Sequence, residues 1–438
     1  LFNDHYLLKV VREQKSGVPL GIFSVCSANE FVIAAALEFG KREKIPTLIE
    51  STSNQVNQFG GYTGMKPAEF KEFVVALAAK IDFPLELLIL GGDHLGPNPW
   101  RQEAAEEALQ KARTLISDYV SAGFTKIHLD ASMYLGGDAG NRSQPLDPKI
   151  VARRTADLAE VAEEAYQNLR KKTPNAPAPV YVVGSEVPVP GGTQSEEEAL
   201  SVTKPEDFRA TVSLTKNAFL ARGLEAAWER VVGVVVQPGV EFGDDSIHEY
   251  DRKEAAGLAA ALKEYPNLIF EGHSTDYQQP HHLKEMVADG VGILKVGPEL
   301  TFAFREALFL LENIERELFV GSRRELSNLK SVVEEVMLAE PKDWRPYYKG
   351  GEEELRFARK YSLSDRIRYY WPHPKISGAL STLLANLNAR ELPLPLLSQY
   401  FPIQYEKIRA GKLVNNPEAL IKDHIGEILA KYHFATKP

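Results

Sequence analysis

The chain has 438 residues, 44% of them hydrophobic, and its 51 Lys and Arg against 60 Asp and Glu give a formal net charge of −9, which argues against a nucleic-acid backbone or an anionic membrane as partner. The length suffices for one large core with an appendage, and the single cysteine, Cys26, excludes an internal disulfide and suits a reducing compartment. No apolar run approaches the roughly 20 residues that cross a bilayer, and LFNDHYLLKVVREQK lacks the basic-then-apolar order of a secretion signal; the expectation is a soluble, cytoplasmic protein with a small polar ligand.

Periodicity along the chain alternates short apolar runs with longer stretches of helical spacing. The strand candidates are GIFSVC (21–26), PTLIES (46–51), LLILGGDH (87–94), KIHLDAS (126–132), VYVVGSE (180–186), VVGVVVQPG (231–239), LIFEGHS (268–274) and GILKVGP (292–298). Between them lie helix candidates such as 67–81, with proline at its first position, and 101–123, with glycine at its stop. Eight strands alternating with helices over about 300 residues predict a (β/α)8 TIM barrel; no G-x-G-x-x-G follows the first strand, as a dinucleotide-binding open sheet would require. His281 and His282 begin a predicted helix and read as solvent-facing.

Beyond about residue 320 the strand signals stop. The division is therefore a catalytic barrel over 1–320 and a helical C-terminal extension over 321–438 packed on it. In the extension, Arg366, Arg368, Tyr369, Tyr370, Trp371 and His373 read either as packing at a domain junction or as groups reaching over an active site. One cysteine, four methionines and abundant Pro, Glu, Lys and Arg lean toward a heat-tolerant source.

Barrel active sites lie where strands end and the following loops converge. The predicted strand ends carry Glu50, Asp93 with His94, Asp130, Glu186, Gln237, His273 with Ser274 and Asp276, and Lys295. A single acid after a strand commonly caps the next helix, but polar chemistry at nearly every strand end points to a site. Two histidines from different strands with carboxylates between them suit a divalent cation such as Zn²⁺, Mn²⁺, Co²⁺ or Ni²⁺. His128, two residues before Asp130 and on the same strand face, reads as a group supporting that site or as a core histidine. The amide-rich loop NQVNQFGGYTG (54–64), with Asn54 and Gln58, leans toward sugar hydroxyls.

The segments IESTSNQVNQFGGYTGM, LGGDHLGPNPW, KIHLDAS, GSEVPVPGG, VVVQPGVEF, HSTDYQ, LKVGPELTFA and YSLSDRIRYYWPH together resemble the GatZ/KbaZ-type proteins, tagatose-1,6-bisphosphate aldolase subunits that accompany a class II catalytic subunit. The resemblance spans nearly the whole chain. It implies a metal-dependent sugar enzyme or its partner, since some thermophilic members act alone as epimerases interconverting tagatose and fructose at C4. Members often bear kinase names, yet the sequence has no P-loop. The more distant similarity to class II aldolases assigns acid/base and ligand roles to Asp93 and His94, a catalytic acid to Glu186 before Gly191 and Gly192, and a metal ligand to His273. Where those aldolases place a further histidine after the sixth strand, this chain has Gln237, its nearest substitute as a ligand.

The expectation is a metal-dependent D-tagatose/D-fructose 4-epimerase working by retro-aldol and aldol steps, with Asp93, Glu186 and Asp130 catalytic. His94, His273 and Gln237 would hold the metal, and Glu50, Asn54, Gln58, Ser274, Asp276 and Lys295 would bind a ketohexose or its phosphate. The alternative is an aldolase subunit of GatZ/KbaZ type, a non-catalytic partner of a class II subunit or itself an aldolase; either form could be a homo-oligomer.

Overall fold

A computed structural model of the chain describes residues 5–142, 144–184 and 201–438. Eight parallel strands close into a barrel: β1 (Ile22–Cys26), β2 (Thr47–Thr52), β3 (Leu88–Leu95), β4 (Lys126–Leu129), β5 (Val180–Val183), β6 (Val231–Val236), β7 (Ile269–Gly272) and β8 (Val291–Val296), with β8 pairing back onto β1. The expected (β/α)8 barrel is what the chain forms, each strand within a few residues of its predicted bounds. The helix expected at 67–81 runs Pro67–Lys80, whereas the one expected from 101 starts only at Ala105. Backbone bonds between Glu103 and Gly136 (2.8 Å) and between Ala105 and Gly136 (2.9 Å) hold that entry out of helical form.

Alternation along each strand sorts the barrel interior into layers. At the N-terminal end, Ile22, Leu48, Ile89, Val180, Val182, Ile269 and Ile293 pack against Leu7, Val10 and Val11 of a helix, Tyr6–Lys15, that closes the bottom. Two residues further along β1, β2, β7 and β8 stand Ser24, Glu50, Glu271 and Lys295, joined by Lys126 of β4, all buried. Above them, at the C-terminal ends, lie Cys26, Asp93, His94, His128 and His273.

The C-terminal helices share the barrel's core. Helix Pro417–Thr436 packs among helices Glu30–Glu43, Pro280–Ala288 and Pro298–Phe319 and touches β1. Its Thr436 carbonyl accepts the Gly21 N–H at 2.8 Å, and the Tyr432 hydroxyl donates to the Thr275 carbonyl at 2.8 Å. Helix Pro298–Phe319 is thereby enclosed, with further helices Leu329–Ala339 and Pro374–Asn388 against it. Among the described residues, no helix is long and apolar enough to cross a membrane.

Leu420, Ile421, Ile425 and Leu429 of the last helix are fully buried, so Leu429→Ala should destabilise the barrel itself by about 2–5 kcal/mol. Urea unfolding followed by tryptophan fluorescence checks this; a loss below about 1 kcal/mol would mean the helix is an independent appendage.

Candidate metal centre

Consecutive residues on a strand face opposite ways, so bringing both Asp93 and His94 into one site needs a break in β3. The structure supplies it: Gly92 pairs with Ile127 but Leu95 with Leu129, so three steps along β3 oppose two along β4. His94 sits at φ 45°, a left-handed conformation costly for an imidazole residue. Gly91 clears space for the layer below, since a Cβ there would lie 2.7 Å from Glu50 Cγ.

Asp93, His94, His128 and His273 each place one ligand-type atom within 4.8 Å of the others. Each imidazole is oriented by a second contact. His94 Nδ1 stands 2.9 Å from Asp130 Oδ2, His273 Nε2 stands 2.9 Å from Glu271 Oε1, and His128 Nε2 donates to the Gly184 carbonyl at 2.9 Å. An imidazole anchored through one ring nitrogen to an oxygen is how proteins orient metal-binding histidines. The donor set carries a further sign. His128 Nδ1 accepts the His94 backbone N–H at 3.2 Å yet lies 3.0 Å from Asp93 Oδ1, so two acceptors face each other. A cation between them removes the conflict.

Beneath the histidines, Lys126 Nζ bridges Glu50 (2.9 Å) and Glu271 (2.7 Å), and Lys295 Nζ bridges Glu50 (2.9 Å) and Asp93 (3.0 Å). Ser24 donates to the other Glu50 oxygen at 2.6 Å. Burial would raise the Asp93 carboxyl, but Lys295 and His94 outweigh it and hold it well below the usual range; Lys126, Lys295 and His273 do the same for Glu271. Burial would raise Asp130 too, and the His94 contact outweighs it and lowers that carboxyl. Burial would lower the Lys295 ammonium, yet Asp93, Cys26 and Glu50 keep it well above the lysine range. Burial pushes His273 down to about 4, so it is neutral and able to ligate at pH 7. Glu50 and Glu271 are matched by Lys126 and Lys295, so Asp93 and Asp130 at the level of the histidines leave two negative charges, the charge a divalent ion neutralises. The residues fit a divalent metal. They do not fit a Schiff-base lysine, which needs a depressed pKa.

The other residues expected at the site fall elsewhere, and that reassigns several. Gln237 is not brought to the cluster: its side-chain oxygen accepts the N–H groups of Gly239 (2.8 Å) and Val240 (3.0 Å), leaving only an amide nitrogen without a lone pair. His128 takes the place expected for it. Asn54 is exposed, and Gln58 donates to the Lys111 carbonyl at 3.0 Å, so neither reaches the cluster. Glu50 is fully buried below it, and Lys295 faces it from β8. Asp276 accepts the N–H groups of Gly297 (2.9 Å) and Glu299 (2.8 Å) at the start of helix Pro298–Phe319, and Ser274 is buried beside it at φ 50°. Glu186, with Gly191 and Gly192, lies outside the described residues. Glu271 escapes a reading of strand ends because it lies inside a strand; its spacing of two from His273 is the available signal.

A buried Asp and three oriented histidines at the C-terminal rim of a closed (β/α)8 barrel make a candidate metal site where barrel active sites lie. The family model for D-tagatose-1,6-bisphosphate aldolase subunit GatZ/KbaZ-like proteins matches residues 7–437, and the chain belongs to that family. Among solved structures it is similar to a probable tagatose 6 phosphate kinase from Sinorhizobium meliloti, with 46% identity over 95% of this chain and 100% of that one and a TM-score of 0.86. Remote likenesses include the fructuronate-tagaturonate epimerase UxaE from Cohnella laeviribosi (14% identity, 94% of this chain and 81% of that one, TM-score 0.46). Another is a fructose-bisphosphate aldolase from Campylobacter jejuni (15% identity, 87% and 91%, TM-score 0.44).

Burial, then Glu299, push Asp276 up to about 7. Its unfolded value is near 3.9, so the folded chain holds an extra proton between those limits, and stability from this group is lost as pH rises toward and through 7. Asp276→Asn keeps the accepting oxygen without the charge. It should therefore raise the melting temperature more at pH 8 than at pH 5, and an equal shift at both would show that Asp276 is ionised in the fold throughout.

Proposed function

We propose that the chain is a metal-dependent ketohexose C4-epimerase that interconverts D-tagatose and D-fructose by breaking and remaking C3–C4. The observation that carries this reading is the Asp93, His94, His128 and His273 cluster, with each ring anchored to an oxygen and the negative charges of Asp93 and Asp130 at its own level. A pure scaffold gains nothing from such a cluster, whose burial of charge is costly without a cation.

C4 lies β to the C2 ketone, so deprotonation beside the carbonyl does not invert it. Cleavage of C3–C4 sends that electron pair toward C2, leaving an enediolate and an aldehyde, and addition to the aldehyde's other face returns the inverted alcohol. A bound divalent ion, Zn²⁺, Mn²⁺, Co²⁺ or Ni²⁺, would supply electrophilic stabilisation of the C2 and C3 oxygens. The C4 hydroxyl proton must leave during cleavage and come back afterwards. Asp93 is ionised and so able to accept it, and Lys295 at 3.0 Å favours its prompt return. Glu186 is the second proton carrier we assign, on the sequence resemblance. Asp130 and Glu271 act through His94 and His273, fixing ring orientation.

The second reading, an aldolase subunit working beside a class II catalytic chain, is favoured by the description of the family itself. A kinase reading finds no P-loop in the sequence. Incubating the purified chain alone with fructose or tagatose decides between solitary catalysis and partnership: product formation without a second subunit supports the first.

Chelation should abolish that activity and added Mn²⁺, Co²⁺, Ni²⁺ or Zn²⁺ restore it; full turnover in a preparation shown metal-free by elemental analysis would end the metal reading. His273→Ala should lose bound metal and activity together, whereas Glu186→Gln should keep the metal and lower turnover about 10²-fold or more.

Bond exchange at C3–C4 leaves the C4 hydrogen on carbon. Turnover in D₂O should therefore leave C4 unlabelled by NMR, and deuterium at C4 would point to a deprotonation route.

A further inference from the structure

Helix Glu352–Tyr361 in the extension is inverted for a surface helix, whose apolar stripe normally faces the core and whose charges face water. Its inner face carries Leu355 and Arg359. The arginine is only 1% exposed, held by Glu334 (2.7 Å) and Glu352 (3.0 Å) and lying 4.8 Å from the Trp344 ring. Its outer face carries Phe357 and Tyr361, which are 58% and 42% exposed. Four positions apart, they share one side of the helix, with ring centroids 5.3 Å from each other. A single exposed apolar side chain is ordinary, but two touching rings turned outward from a helix that buries its arginine form a patch in want of a cover.

The patch is preorganised. The Tyr361 ring meets the edge of Phe309 at 6.2 Å and has the Arg305 guanidinium 5.5 Å away, so docking on it orders little that is not already ordered. The charges around it are sorted along the helix. Its first turn holds Glu352, Glu353 and Glu354, and its last turn Arg359 and Lys360, with Arg356 between. Glu353 and Arg356 flank Phe357 on the exposed side, and neither has an ion-pair or hydrogen-bond partner for its side chain among the described residues. A second copy of the helix laid antiparallel on this face meets opposite charge at both ends, with Glu353 of each copy toward Arg356 of the other and the rings meeting between them. Parallel placement would set like charge against like and oppose the helix dipoles. Self-complementarity of this kind is what a two-fold contact requires, and aromatic residues with arginine are the side chains that anchor interfaces.

We infer that helix Glu352–Tyr361 is the surface through which two copies of this chain associate, antiparallel about a two-fold axis near Phe357. Ten residues make a small contact, so the association is weak, with a dissociation constant on the order of 10–100 μM. The inference stands apart from the sugar reading. It places the contact on the helix that leads directly into residues 362–371, where Arg368 and Trp371 line the cavity that Cys26 also borders.

Sedimentation velocity on the full chain, from about 1 to 200 μM, should show a monomer–dimer equilibrium. Phe357→Glu should weaken it at least about tenfold. Glu353→Lys and Arg356→Glu should each weaken it about tenfold, because each sets like charges across the axis. Mixing those two variants should restore dimers to within about threefold of the unaltered chain, since opposite charges face each other again in the mixed pair. That rescue also shows that neither variant has lost its fold. A chain that stays monomeric throughout this range would overturn the inference, as would dimers indifferent to all three substitutions or a mixture that stays apart. Association through this face only with a different protein, such as a class II aldolase chain, would overturn it as well.

Discussion

Two lysines and four carboxylates share the middle and upper interior of this barrel, and the rest of the site depends on how they pair. Lys126 and Lys295 each bridge two acids, with Glu50 common to both. Removing either lysine would leave buried carboxylates short of a countercharge, which in general costs several kcal/mol. The network reaches the imidazoles above it through Glu271, which anchors His273, and through Asp93, which stands beside His128, while Asp130 anchors His94.

Much of the architecture is readable from the chain because a barrel strand buried on both faces leaves an unbroken apolar run, and eight such runs stand out between amphipathic stretches. The ends of those runs also name Asp93, His94 and His273. Two of the misplacements share one cause. Sequence shows that a polar residue follows a strand but not which of its atoms the backbone consumes: Gln237 and Asp276 spend their oxygens on neighbouring N–H groups. His128 stays ambiguous in sequence because its partner is a carbonyl, Gly184, contributed by another part of the chain and silent in the residue pattern. Helix Tyr6–Lys15 escapes notice because it buries only three of its residues, at the bottom of the barrel.

The extension reads differently once its contacts are known. Sequence separates it from the barrel by the end of strand signals, whereas the packing joins them: helix Pro417–Thr436 lies against the first strand and the helices flanking it. Of the aromatic and arginine-rich stretch at 366–371, Ile367 and Tyr370 are buried in the core while Arg368 and Trp371 line a cavity that Cys26 also borders.

The hydrogen bond from Gly21 to Thr436 spans almost the whole chain. On the ribosome, β1 gains Phe39 of the next helix over Phe23 but lacks the Tyr432 side of its cover until some four hundred further residues have followed. At about 5–20 residues per second that wait lasts roughly 20–80 s, during which the sheet cannot gain its final cover. The nascent chain thus keeps apolar strand surface exposed for longer than a barrel sealed by its own eighth helix, the condition under which incompletely packed chains aggregate.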